Sequence, residues 1–87
     1  MQSDNIKFEP LLVNDICVGV ICHIDDLDTL HRYLIGYKAS NGKDIWWGKK
    51  KTPNSTVALS DSEVSKTLDK YHLKKLIRMQ YREMAEQ

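Results

Sequence analysis

Eighty-seven residues, 41% hydrophobic and 29% charged, make one domain (1–87) with a single small core, and that balance argues against wholesale disorder. A net charge of +1 is far from the strongly basic balance of a dedicated duplex-DNA binder, and no apolar run approaches the ~18–20 residues of a membrane span. The start, Met-Gln-Ser-Asp-Asn-Ile-Lys-Phe-Glu-Pro, has neither the basic opening nor the apolar stretch of a signal peptide, so a cytoplasmic location is expected.

Residues 1–6 read as a polar, frayed start. Residues 8–13 suit a short edge strand or an extended lead-in, because Pro10 limits hydrogen bonding. Asn14-Asp15 marks a turn. Residues 16–24 then form an apolar run, a strand covered on both faces, with Gly19 predicting a bulge or a close backbone approach. Cys17 and Cys22 lie five positions apart on it. In a regular strand that odd separation sends the thiols to opposite faces, so they neither bond nor share a metal, and buried free thiols are expected. His23 falls on the Cys17 face, near the surface.

Asp25, Asp26 and Asp28 follow. Carboxylates so close invite a hard cation, but the further oxygens and closing glutamate of a calcium loop do not follow. A turn, or a helical turn capped by Asp25 or Asp28, is expected instead. Leu27, Leu30 and Leu34 would suit a helix, whereas the alternation from Tyr33 favours a strand starting near Arg32.

The stretch 33–51 is the most informative. Asn41-Gly42 between β-rich runs calls for a two-residue type I′ turn, since both positions tolerate positive φ. That turn sets Ser40 opposite Lys43, Tyr37 opposite Trp46 and Gly36 opposite Trp47. Tyr33, Ile35, Tyr37 and Trp46 then share a core face, while Leu34, Lys38, Ile45 and Trp47 share the other. A tryptophan beside lysines makes that second face the candidate binding surface, with Trp47, Lys38, Lys49, Lys50 and Lys51 as its residues.

After a loop at 52–55, residues 57–59 suit a short final strand. Ser60-Asp61-Ser62-Glu63 is a capping box that starts a helix uninterrupted by Gly or Pro from Ser62 to Glu86. Its apolar pattern has a phase break. Val64, Leu68 and Tyr71 share one stripe; Leu73, Leu76, Ile77, Tyr81 and Met84 share another, about half a turn round at 100° per residue. Either one helix passes between two surfaces, or it bends near Tyr71-His72 into two. Lys74, Lys75, Arg78 and Arg82 line the opposite side of the second half, a solvated face or a site for nucleic acid, an acidic partner or a membrane surface, the last opposed by Glu83 and Glu86, so no membrane partner is expected.

These elements predict an α+β fold: a small antiparallel sheet over 8–60 and a long or bent C-terminal helix over 61–87. The strand order around Asn14-Asp15-Ile16-Cys17-Val18-Gly19-Val20, residues 32–38, 43–48 and 56–59 resembles a small SH3-like or Tudor-like barrel. Such a barrel implies binding of peptides, nucleic acid or other subunits and selects none of them. The open alternative is a three-stranded antiparallel sheet with the helix across one face.

Charge is unevenly spread. Residues 1–48 carry four basic and seven acidic side chains, and residues 49–87 carry nine and five. His23, His31 and His72 are scattered, the thiols sit in an apolar strand, and the serines are explained by capping, so no catalytic role, cofactor or metal is expected. The expected function is a small regulatory adaptor or inhibitor docking on a protein through Trp47. The alternative is a nucleic-acid accessory protein in which Trp47 stacks on a base and Lys49–Lys51 meet phosphates. Pairing of two copies through the later helix stripe is a further expectation.

Overall fold

The computed structural model describes residues 5–86. Five strands, β1 (Asn5–Val13), β2 (Ile16–Asp26), β3 (His31–Ser40), β4 (Lys43–Lys51) and β5 (Thr56–Ala58), form one antiparallel sheet in sequential order, followed by helices α1 (Asp61–Lys70) and α2 (Lys74–Ala85). The sheet is open, with β1 and β5 as its edges, so the SH3-like barrel is corrected to a five-stranded meander. It also exceeds the three strands of the open alternative. The polar start is corrected at Asn5 and Ile6, which begin β1; residues 1–4 lie outside the described residues. At an edge, Pro10 is accommodated, because one side of the strand needs no donors.

Turn chemistry sets the meander. Asn41 (φ 52°) and Gly42 (φ 76°) both adopt the left-handed region, and the register of β3 on β4 follows as expected: Ser40 opposite Lys43, Tyr37 opposite Trp46, Gly36 opposite Trp47. Asn14 (φ 51°) and Asp15 (φ 66°) do the same for β1 and β2. The turn from β2 to β3 uses a different device. Asp26 Oδ1 accepts from the amides of Asp28 (3.0 Å) and Thr29 (3.2 Å), and Leu30, at φ 62°, donates its amide to the Asp26 carbonyl at 2.9 Å. The capping carboxylate is therefore Asp26 rather than Asp25 or Asp28, and the helix considered for Leu27–Leu34 gives way to strand β3.

Gly19 marks both features expected of it. A Cβ there would stand 2.0 Å from the Tyr37 carbonyl oxygen, and the register on β1 slips beside it, Leu11 facing Gly19 while Leu12 faces Cys17. Val18 is thus the extra residue of a bulge. The bulge reverses the parity of the strand, so Cys17 lies on the covered side with Cys22, lining a depression with Pro10, Leu12 and Met84, and no longer shares a face with His23. The two thiols are still free. Four effective strand positions separate them, about 13 Å at ~3.3 Å per residue, far beyond disulfide reach. Burial pushes the Cys22 thiol up to about 12.

The helices cover one face. Val20, Cys22, Ile24, Ile35 and Tyr37 from the sheet meet Val64, Leu68, Leu73 and Ile77 in one core. Ser60 caps α1 reciprocally with Glu63: the Glu63 amide donates to Ser60 Oγ at 3.2 Å and the Ser60 amide to Glu63 Oε1 at 3.0 Å. The phase break resolves into two helices. His72 takes φ 55°, its amide donates to the Asp69 carbonyl (3.3 Å) and the Leu73 amide to that of Leu68 (2.9 Å). This is a Schellman ending with histidine in glycine's usual place, sealed by the buried pair Leu68 and Leu73. The change of direction lets both apolar stripes face the same sheet. The second stripe is therefore largely spent inside the chain: Leu73 and Ile77 are buried, Tyr81 and Met84 pack on the core, and Leu76 is left exposed.

Two polar clasps hold the layers together. Asp26, buried, accepts from the Tyr71 hydroxyl at 2.8 Å and lies 3.5 Å from Lys70 Nζ, tying the β2–β3 turn to the end of α1. The Tyr71 hydroxyl, helped by the Thr29 and Asp28 amides and Lys70, outweighs burial and holds its pKa down to about 2. At the other end Asp44 accepts from the Tyr37 hydroxyl (2.8 Å) and from Arg78 on α2 (2.6 Å), and both partners, Tyr37 first, lower its pKa. Among the described residues no helix is long and apolar enough to cross a membrane.

Candidate interaction face

The face turned away from the helices is a grid. Successive strands place Asn5, Asp25, Arg32, Lys51 and Thr56 in one cross-strand row, and Lys7, His23, Leu34, Lys49 and Ala58 in the next. A third row holds Glu9, Ile21, Gly36 and Trp47, and a fourth Leu11, Gly19, Lys38 and Ile45. Neighbours within a row sit ~4.8 Å apart and rows ~7 Å apart, so these side chains form a continuous surface. Both helices lie on the opposite side, with the core.

An apolar strip runs across the middle. Ile21, Leu34 and Trp47 are half-buried although neither helix lies above them, while Ile45 is 45% exposed. Trp47 lies directly over Gly36: a Cβ there would meet the indole at 2.1 Å. The bare glycine backbone makes the seat for the ring, an arrangement that shields the strand and fixes the indole at the surface.

Charge surrounds the strip asymmetrically. Lys7, Arg32, Lys38, Lys49 and Lys51 stand on the face, with Lys43 at the hairpin end, against the carboxylates Glu9 and Asp25. Both carboxylates are engaged, Glu9 with His23 Nε2 at 2.6 Å and Asp25 with Arg32 Nε at 3.2 Å. Lys49 and Lys51 are exposed and Lys38 is half-buried. A shallow depression of about 390 Å³ opens over Leu34, between Lys7, Arg32, Lys49 and Lys51.

The sequence-derived set is therefore brought together in part. Trp47, Lys38, Lys49 and Lys51 share the face. Lys50 does not: alternation puts it opposite Tyr33 on the helix side, where its charge acts on Glu63. The basic helix row is also broken up, because Arg78 is spent on Asp44 and on the edge of the core, its guanidinium 5.9 Å from the Trp46 ring. Lys74, Lys75 and Arg82 stay exposed. Sequence reasoning missed Lys7, Arg32 and Ile21 as members of the face. For Ile21 and Arg32 the signal was the alternation along β2 and β3; for Lys7 it lay only in the pairing of β1, which the bulge at Val18 sets.

Among the described residues no three His, Cys, Asp or Glu side chains converge as a metal site. No family model, curated protein or solved structure matches the chain.

Proposed function

We propose that the protein is a small non-catalytic interaction module, a regulatory adaptor or inhibitor, that docks on a protein partner through the uncovered face of its sheet. One observation carries this reading: the strip Ile21–Leu34–Trp47–Ile45 crosses a sheet face over which the described residues lay no second layer. An antiparallel sheet with one solvated face normally alternates to polar residues there. An apolar centre with tryptophan and a charged rim is the composition of a protein-binding patch.

The test is capture of partners from native extract by the intact chain and by Trp47→Ala, each with and without nuclease. A nuclease-resistant partner lost in Trp47→Ala, with that variant still folded, is the expected result. Undiminished capture by Trp47→Ala overturns the reading. The excess of lysine and arginine over carboxylates on this face favours nucleic acid as a second reading. Capture that disappears with nuclease decides for it.

A further inference from the structure

Resting on the protein-docking reading, we infer that the partner presents an extended acidic segment, with carboxylates at alternate positions, to the depression over Leu34. Lys49 and Lys51 are two residues apart on β4 and point from the same face, so their stems leave the sheet ~7 Å apart. An extended polypeptide repeats its own same-side groups at that spacing, and an acidic-x-acidic segment laid along β4 therefore sets one carboxylate against each lysine. Arg32 lies beside Lys51 in the row, and Lys7 closes the far end of the row of Lys49.

Asp25, the carboxylate lining this depression, is engaged by Arg32 through Nε at 3.2 Å, and the Arg32 side chain is 69% exposed. Leu34 floors the depression between the cations, so the x side chain or a methylene stem has apolar surface to cover. Complementary charge on an exposed rim governs encounter and partner choice, while the Trp47 strip supplies the burial.

The experiment uses the full-length ¹⁵N-labelled chain. It is titrated with a ten-residue peptide alternating glutamate and threonine, with its glutamine counterpart, and with single-stranded oligothymidylate of matched length. The expected result is shifts of the Arg32, Leu34, Lys49 and Lys51 amides with the glutamate peptide. The glutamine peptide should bind at least about tenfold more weakly, and so should the glutamate peptide to the double variant Lys49→Glu, Lys51→Glu. Equal binding of the two peptides, shifts confined to the helices, or no shifts at ~5 mM peptide overturns the inference. So does tighter binding of the oligothymidylate at the same amides, which reassigns the depression to phosphate. Partner capture separates this failure from failure of the docking reading. A partner lost in Trp47→Ala but kept by the double lysine variant leaves the face in place and removes the acidic segment; a partner kept by Trp47→Ala removes the face itself.

Discussion

The two faces of one sheet are built from the same strands and end differently. Ile24, Cys22 and Ile35 are fully buried beneath α1 and α2; Ile21 and Leu34, one position along, are only half-buried. Side-chain chemistry barely distinguishes the two sets. What differs is the second layer: among the described residues one pair of helices forms it, and it covers one face. Apolar side chains on the covered face hold the fold together, and those on the open face are the ones proposed to meet a partner.

Truncation should expose that difference most sharply. Ile35→Ala should cost ~2–5 kcal/mol as a buried cavity, whereas Leu34→Ala should cost about 1 kcal/mol, since solvent already reaches it. Chemical denaturation of both variants measures the gap. Equal losses would mean that something covers the open face in solution.

The adjacent tryptophans repeat the comparison on a smaller scale. Trp46 packs 4.6 Å from the Tyr37 ring and beside Arg78, so Trp46→Ala should destabilise by roughly 2–3 kcal/mol, below the value for a fully buried indole. Trp47→Ala should lose less stability and more partner binding. A larger thermal shift in Trp47→Ala than in Trp46→Ala would invert the assignment of faces.

Asp25 and Asp26 set the same contrast in charge. Asp26, on the covered face, has its pKa lowered from 3.8 to about 2. A group depressed in the folded state stabilises it fully above its unfolded pKa. That contribution is lost as pH falls from about 4 through about 2. Thermal stability should therefore drop over that window, and Asp26→Asn should lower it at neutral pH and flatten the drop. Asp25→Asn, at an exposed ion pair, should change stability by about 0–1 kcal/mol. A wild-type acid profile retained in Asp26→Asn would show that other carboxylates carry it.

A further small effect concerns the turn that keeps the faces apart. Gly42, at φ 76° with open space around it, should tolerate valine sterically but not conformationally, so Gly42→Val should cost about 1 kcal/mol. An unchanged melting temperature would break the type I′ turn and the register that divides the two faces.

Local chemistry in the sequence determined the Asn41-Gly42 turn with its register, the alternation that separates Trp46 from Trp47 and the capping box at Ser60, and it marked a phase break near Tyr71-His72 without choosing between one helix and two. Each rests on residues within a few positions of one another, where turn geometry, side-chain period and capping hydrogen bonds act without help from the rest of the chain. Tertiary structure alone decided that the sheet stays open, that a bulge at Val18 turns Cys17 to the covered side, and that Asp26 rather than its neighbours caps the turn. It also took Arg78 out of the basic helix row by giving it Asp44, and brought Lys7 to the face of Trp47. These outcomes depend on which distant strands pair and where two helices come to rest, and such contacts are chosen by the packing of the whole core.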